Sequence, residues 1–155
     1  MIKVLFVCHG NICRSPMAQF VFQHLVDQAG LTACFHISSA ATSTEEIGNP
    51  IHHGTMGIFR KYSIPCSGHH AVQMKKTDYE KYDWLIGMDQ ANIRNMNRIC
   101  GGDPNNKIYK LTAFAGSSKD VADPWYTGDF EVTYRDVLAG CQGLLEEIRN
   151  RCGMF

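Results

Sequence analysis

The sequence lacks any run of about 18 apolar residues, the length that a membrane-spanning helix needs. Its apolar start, MIKVLFVC, is too short and too soon followed by polar residues to act as an export signal. Neither sign of charge is in excess, because 15 Lys and Arg balance 15 Asp and Glu. General binding to nucleic acid or to an anionic membrane is therefore not expected, although the overall charge balance does not exclude a local basic site.

The sequence also lacks a C-x-x-C pair, although it contains seven cysteines. Zinc ribbons and thioredoxin-type motifs need that spacing. The histidine pairs at 52–53 and 69–70 are adjacent, so neither pair can share one helix face as metal ligands would. We therefore expect no metal and no cofactor. An odd number of cysteines without an export signal predicts reduced thiols and a cytoplasmic location.

Strands and helices alternate along the 155 residues, and no repeat or linker divides them. Apolar runs predict strands at 2–7, 35–40, 82–88 and 107–111. Buried strands that alternate with helices predict a single-domain α/β fold of three layers. Its centre is a four-stranded parallel sheet with helices on both faces. Ligands of such sheets bind beyond the carboxyl ends of the strands.

Capping and turn residues indicate where the helices begin and end. Ser15 followed by Pro16 predicts an N-cap and a first helical position, and Gly30 predicts the end of that helix. Further helices are predicted from Asn49-Pro50 to about 62, from a Thr77 cap to 80, and from an Asp89 cap toward 98. A loop at about 116–129 precedes a last helix from 130, which carries the clearest apolar stripe.

The segment between the first strand and the first helix predicts an anion site. It reads Cys8-His9-Gly10-Asn11-Ile12-Cys13-Arg14. Backbone N–H groups of such a loop can point inward together, and the helix adds its positive end. Arg14 can hold two phosphate oxygens with its forked donors. The same positive field favours the thiolate form of Cys8, which would then be a nucleophile aimed at phosphorus.

The sequence VCHGNICRSPMA at 7–18 resembles the signature of the low-molecular-weight protein tyrosine phosphatases. Further similarities follow in family order along nearly the whole chain: SAAT at 39–42, Met88-Asp89 with Asn92, and DPWY at 123–126. The resemblance implies one domain over residues 1–155. It also implies hydrolysis of phosphotyrosine, and of small aryl phosphates, through a phosphocysteine intermediate.

The resemblance assigns the chemical roles. Cys8 is the expected nucleophile, and Asp123 is expected to act first as general acid and then as base on the attacking water. Asp120 and Asp129 lie in the same loop and are the other candidates, while an ordinary surface turn at Asp123-Pro124 is the alternative without a catalytic role. Phosphate binding is expected from His9, Gly10, Asn11, Ile12, Cys13 and Arg14.

Other residues are expected to support these groups. By the resemblance, Ser15 faces the nucleophile and helps it leave in the second step, in addition to its predicted capping role. Asn11, which tolerates a left-handed conformation, is expected to be held by Ser15, Ser39 and His69. A solvent-exposed His69 is the alternative. Asp89 is placed to orient Arg14 as well as to cap a helix.

The cleft walls and the regulation are also inferred. Ile12, Trp125 and Tyr126 are expected to wall a cleft for a phenyl ring, although packing of Trp125 onto the core is the alternative. The sequence departs from the family pattern at Glu45, where an aromatic residue is common, and at His9. Cys8 and Cys13 are expected to form a redox pair, or else Cys13 only packs beneath the loop.

We expect phosphotyrosine proteins or peptides as substrates, phosphate-like anions as inhibitors, and a monomer or weak homodimer. Three other functions stay open. An arsenate reductase needs further relay cysteines, and only Cys100 lies between residues 67 and 140. An arginine phosphatase tends to carry Thr where this chain has Ile12. A phosphocarrier would need neither Arg14 nor an acid loop.

Overall fold

The computed structural model describes residues 1–154, and four parallel strands form its single sheet. The strand order is β2-β1-β3-β4, so β1 is central and pairs with strands on both sides. The predicted four-stranded parallel sheet is therefore confirmed. The strands are β1 Ile2–Cys8, β2 Phe35–Ala41, β3 Trp84–Gly87 and β4 Ile108–Lys110. The last two are shorter than the predicted ranges 82–88 and 107–111.

Helices cover both faces of the sheet, as the alternation predicted. They are α1 Arg14–Gln28, α2 His53–Lys61, α3 Asp78–Lys81, α4 Gln90–Cys100, α5 Pro124–Thr127 and α6 Phe130–Cys152. Alternate residues of β1 serve the two sides, since successive strand side chains point to opposite faces. Val4 and Phe6 pack with residues of α1 and α6, whereas Leu5 and Val7 pack with residues of α3 and α4. No helix within residues 1–154 is long and apolar enough to cross a membrane.

The direction of the chain across the sheet fixes the place of the loop after β1. From β1 the chain first adds β2 on one side and then returns to add β3 on the other. A reversal of this kind opens a crevice beyond the carboxyl ends of the two flanking strands. Here Cys8 ends β1, and Asp89 follows the end of β3 at the same edge of the sheet.

Two predicted helix starts are wrong. The first helix begins at Arg14, not after a Ser15 cap; its N-cap is Cys13, and the Ser15 hydroxyl points to other partners. The second begins at His53 instead of Asn49-Pro50, with His52 as the N-cap. Asn49 and Pro50 are held extended, because the Ala71 N–H donates to the Asn49 carbonyl at 2.9 Å and Pro50 bridges His70.

The other boundaries lie close to the predictions. Asp89 does cap α4, and its side chain and that of Asn92 form a reciprocal capping box. Thr77 precedes α3 but makes no capping bond with its side chain. The segment predicted as a loop at about 116–129 contains the short helix α5, which begins after Asp123.

Gly54 and Gly57 give a matched test of the packing at the start of α2. A Cβ on Gly54 would lie 2.3 Å from the Phe130 ring, whereas a Cβ on Gly57 meets nothing within 4 Å. We expect Gly54→Ala to lower the free energy of unfolding by about 1–3 kcal/mol through overpacking. Gly57→Ala should raise it by roughly 0.5–1 kcal/mol, because alanine loses less backbone entropy in a helix. Urea unfolding measures both, and equal effects would contradict the close contact with Phe130.

Candidate active site

The sulfur of Cys8 lies at the base of the loop and is surrounded by hydrogen-bond donors. The Asn11 backbone N–H donates to Sγ at 3.2 Å, and the Ser15 hydroxyl lies 2.9 Å from it. Cys8 is buried, as is Ser15. Because α1 starts one residue before Ser15, the hydroxyl projects from the first turn back toward the strand end. Both groups therefore face the sulfur atom of Cys8 from the loop and from α1.

Asn11 is fully buried and holds the loop in a left-handed turn, with φ of 60°. Its side-chain amide donates to the hydroxyls of Ser15 at 2.8 Å and Ser39 at 2.9 Å. Its side-chain oxygen accepts from the Val72 backbone N–H at 3.1 Å. The bonds of one side chain thus join the loop to α1, to β2 and to the segment before α3.

His69 holds the same residue through its backbone. Its Nε2 lies 3.0 Å from the Asn11 carbonyl oxygen, so this nitrogen carries the proton and donates. Burial lowers the pKa of His69, and the nearby His70 adds to this effect. The ring is partly buried and packs edge-on against Phe20, which contradicts the solvent-exposed alternative. The structure therefore brings together Asn11 and the three residues that were predicted to hold it.

Arg14 is the buried cation of the site, with only 3% of its surface exposed. Its Nη1 lies 2.9 Å from an Asp89 carboxylate oxygen, and its Nη2 lies 3.3 Å from one of Asp123. Nη1 also donates to the Val121 carbonyl at 3.3 Å. Burial opposes the charged form, but the anionic groups around the guanidinium, Cys8 first, raise the pKa of Arg14. The charge is therefore permanent, and its plane is fixed by these partners.

Asp123 stands at the mouth of the loop. One carboxylate oxygen accepts from the Trp125 backbone N–H at 3.0 Å and so caps α5, while the other faces Arg14. The two competing aspartates are engaged elsewhere. Asp120 pairs with Lys110 at 3.1 Å, and Asp129 accepts from backbone N–H groups at the start of α6. Of the three candidates, the geometry places only Asp123 beside Arg14.

A cleft of about 460 Å³ opens above the loop. Ile12, Trp125 and Tyr126 are among its lining residues, and the last two are 65% and 85% exposed. Trp125 therefore does not pack onto the core. The side chain of His9 pairs with Glu45 at 2.8 Å, and both are more than half exposed. These two departures from the family pattern thus meet each other at the rim of the cleft.

Comparison with known proteins identifies the family. The model of the family described as low molecular weight phosphotyrosine protein phosphatase matches residues 3–152. The chain belongs to this family. YfkJ of Bacillus subtilis, a low molecular weight protein-tyrosine-phosphatase, is 40% identical over 151 residues, covering 96% of this chain and 97% of that protein. Its crystal structure gives a TM-score of 0.94 at 39% identity, covering 97% of this chain and 96% of that one.

Two further proteins are similar to this chain, one in sequence and one mainly in fold. The low molecular weight phosphotyrosine protein phosphatase of Mus musculus is 40% identical over 150 residues, covering 94% of each chain. The solved structure of DARP, a drosophila arginine phosphatase, shares the fold with a TM-score of 0.87 but is only 24% identical, covering 96% of this chain and 98% of that one. The predicted family is thus confirmed.

Sequence reasoning missed several groups that complete this phosphatase site. The Val121 carbonyl binds Arg14, the Val72 N–H binds Asn11, and Gln19 accepts from the Ser39 hydroxyl at 2.5 Å. Two of these are backbone groups, which no residue type could have indicated. Within residues 1–154, no group of three or more His, Cys, Asp or Glu is arranged to hold a metal ion.

Two substitutions of Asn11 separate its hydrogen bonds from its backbone conformation. Asn11→Gly removes the amide but accepts a positive φ, whereas Asn11→Ala removes the amide and strains the turn. Both should weaken the binding of vanadate, a phosphate-like anion, because the loop loses the hydrogen bonds of the Asn11 side chain. Asn11→Ala should lower the free energy of unfolding by about 1–2 kcal/mol more than Asn11→Gly, the cost of the left-handed conformation. Urea unfolding and vanadate titration check this, and identical stabilities would contradict the strain.

Proposed function

We propose that this family member hydrolyses phosphotyrosine in proteins, with Cys8 as the nucleophile and Asp123 as the acid and base. One observation carries the proposal: the Cys8 sulfur lies within 3.2 Å of the Asn11 N–H and the Ser15 hydroxyl, in a loop closed by the buried Arg14. A thiolate held by donors beneath a fixed positive charge is suited to attack a bound phosphate ester.

In the first step, Arg14 and the loop N–H groups bind the three terminal phosphate oxygens. The Cys8 thiolate forms a bond to phosphorus while the bond from phosphorus to the tyrosine oxygen breaks. Asp123 donates a proton to that oxygen, so tyrosine leaves as a neutral phenol. Ile12, Trp125 and Tyr126 offer apolar surface to its ring.

In the second step, the Asp123 carboxylate removes a proton from a water molecule, whose oxygen attacks phosphorus. The bond from sulfur to phosphorus breaks, and inorganic phosphate is released. Ser15 lies 2.9 Å from the sulfur and donates to the thiolate as it leaves. Asp89 keeps Arg14 in place through both steps, since its carboxylate is itself fixed as the cap of α4.

Phosphotyrosine proteins or peptides are the proposed substrates, with phosphate-like anions as inhibitors. Arg14 supplies the charge that a metal ion provides elsewhere, so we expect activity without metal or cofactor. A monomer or weak homodimer, no nucleic-acid or membrane partner and a cytoplasmic location stay predictions.

The site favours hydrolysis over the alternatives. Cys100 packs in the core on the α3–α4 side of the sheet, so it is poorly placed to carry a disulfide outward as an arsenate reductase requires. A phosphocarrier gains nothing from an acid that stands beside Arg14. The test is one substrate panel of phosphotyrosine, phosphoserine, phosphoarginine, and arsenate with a thioredoxin system, each with and without a chelator. Phosphotyrosine turnover that resists chelation is expected; turnover of arsenate alone would overturn the proposal.

The role of Asp123 as the general acid is tested by comparing two substrates whose leaving groups differ in their need for a proton. Asp123→Ala should lower kcat/KM on phosphotyrosine by about 10²–10⁴-fold, the usual contribution of general acid–base catalysis. It should lower kcat/KM on dinitrophenyl phosphate much less, because kcat/KM reports the first step alone and that phenol leaves without protonation. Asp129→Asn is the matched control, since asparagine still caps a helix, and it should leave both rates near wild type. Equal losses on both substrates would remove Asp123 from this role.

Ile12 tests the substrate class. Its branched apolar side chain is half-buried in the cleft wall and offers no hydrogen bond. A phenyl ring gains from this surface, whereas a guanidinium placed against it loses its water without a partner. We expect higher kcat/KM on phosphotyrosine than on phosphoarginine, with Ile12→Thr narrowing the ratio. Steady-state kinetics on both substrates checks this, and a wild-type preference for phosphoarginine would assign the chain to the arginine phosphatases.

Cys13 tests the proposed redox switch. Hydrogen peroxide would oxidise the Cys8 thiolate to a sulfenic acid, and attack by the Cys13 sulfur would then form a disulfide and release water. Burial, followed by the charge of Cys8, raises the pKa of Cys13 to about 12 before oxidation. Oxidation removes the charge of Cys8, but burial, the larger cause, still raises the pKa of Cys13. Only the thiolate attacks, so disulfide formation should quicken about tenfold per pH unit from about pH 7 to about pH 9.

Peptide mapping after peroxide treatment follows this disulfide, and dithiothreitol then restores activity. Cys13→Ser should recover much less activity than wild type, while Cys34→Ser serves as the control and should recover fully. A pH-independent rate, or a bridge from Cys8 to another cysteine, would leave Cys13 as packing alone.

A further inference from the structure

His52 joins the phosphate-binding loop to the start of α2. Its backbone N–H donates to the Ile12 carbonyl at 2.9 Å, and its Nδ1 accepts from the Gly54 N–H at 3.0 Å. The proton of the neutral ring is therefore on Nε2. Burial, with a smaller effect of His53, lowers the pKa of His52 and keeps the ring neutral. One residue thus ties the loop beside the nucleophile to a rigid helix.

The ring of the same residue contacts the segment that carries Asp123. It lies edge-on to Trp125, with ring centres 6.3 Å apart and planes at 76°. It also stacks on Phe130, the first residue of α6, at 5.2 Å and 18°. Trp125 in turn donates its backbone N–H to the Asp123 carboxylate at 3.0 Å. A continuous chain of contacts therefore runs from Ile12 through His52 and Trp125 to Asp123.

The acid segment is well anchored before Asp123, where the Ala122 N–H donates to Asp136 at 3.0 Å and the Thr133 hydroxyl donates to the Ala122 carbonyl at 2.8 Å. After Asp123 the anchoring is weaker. The helix α5 has only four residues, and Trp125 and Tyr126 are mostly exposed. Asp123 does touch Arg14 at 3.3 Å, but that guanidinium must also bind the phosphate. A contact to Arg14 alone would draw the carboxylate toward the phosphate oxygens, away from the bridging oxygen that has to be protonated. The ring of His52 supplies a contact to Trp125 that does not involve the guanidinium.

We propose that His52 is a positioning residue whose ring fixes the acid segment against the phosphate-binding loop, so that Asp123 stands at the bridging oxygen. His52 is not among the residues that line the cleft, so it acts through Trp125 and touches no substrate. The proposal rests on the phosphatase function proposed above. It differs from a role as helix cap alone, because the cap uses Nδ1 whereas the positioning uses the ring faces and edge.

Two substitutions separate these roles. His52→Asn keeps a side-chain acceptor for capping α2 and removes the ring. His52→Phe keeps the ring and removes the acceptor. His24→Asn, at a half-exposed histidine of α1, is the control for a histidine change outside the site. Each variant is assayed with phosphotyrosine and with dinitrophenyl phosphate, and its folding is followed by urea unfolding.

His52→Asn should lower kcat/KM on phosphotyrosine about tenfold, since small displacements of a catalytic group carry losses of this order or more. Its kcat/KM on dinitrophenyl phosphate should stay within about twofold, because kcat/KM reports the first step alone and that phenol needs no acid. His52→Phe should recover most of the phosphotyrosine rate, and His24→Asn should match wild type on both substrates. Because His52 acts through Trp125, the double variant His52→Asn/Trp125→Ala should show the same ratio of phosphotyrosine to dinitrophenyl phosphate activity as Trp125→Ala alone.

The proposal is overturned if His52→Asn loses activity equally on both substrates. It is also overturned if His52→Phe loses activity on phosphotyrosine while His52→Asn does not. The second result would make His52 a helix cap only. Asp123→Ala, assayed in parallel, distinguishes the failure of the proposed function. If that variant shows no difference between the substrates, the acid itself is misassigned. If it shows the difference and the His52 variants do not, only the role of His52 is refuted.

Discussion

Arg14 carries a positive charge that is almost closed to solvent, and a buried charge is stable only where anions and hydrogen-bond acceptors surround it. The chain meets this demand from three separate places: Cys8 at the end of β1, Asp89 after β3, and Asp123 before α5. Cys8 and Asp89 converge because the carboxyl ends of parallel strands share one edge, and the loop before α5 brings Asp123 to the same place. The requirement that keeps Arg14 charged therefore also brings together the proposed nucleophile, the proposed phosphate site and the proposed acid.

The loop around Asn11 likewise combines a structural requirement with the assembly of the site. Its left-handed turn is unfavourable by itself, and the buried amide offsets that cost through bonds to Ser15, Ser39 and Val72. Because these bonds exist before substrate arrives, the donors around the sulfur need not reorganise during the reaction, which is the physical basis of electrostatic catalysis. Stability and catalysis thus depend on one network, so its loss should affect both.

The parts of this site that could be predicted from sequence are those with a strong local pattern. Asp89 shows this well, since its capping position fixed its place at the strand end beside Arg14. Ser15 was predicted less well: Ser-Pro is typical of a helix start, yet the helix begins two residues earlier than predicted, at Arg14, and the Ser15 hydroxyl faces Cys8. The sequence did not indicate the contacts of His52. Histidine is an uncommon N-cap, and the partners Trp125 and Phe130 lie more than 70 residues away in the sequence.

The central claim is that phosphate passes through a covalent bond to Cys8, and the most direct measurement is to trap that bond. Asp123→Ala should slow the second step more than the first when dinitrophenyl phosphate is the substrate, because water then lacks its base. Rapid quench into an alkaline denaturant, followed by peptide mass spectrometry, should find a phosphoryl group on the peptide that contains Cys8, and specifically on its sulfur. Turnover without any phosphorylated peptide, or a phosphoryl group on His9, Cys13 or Ser15 instead, would contradict the account.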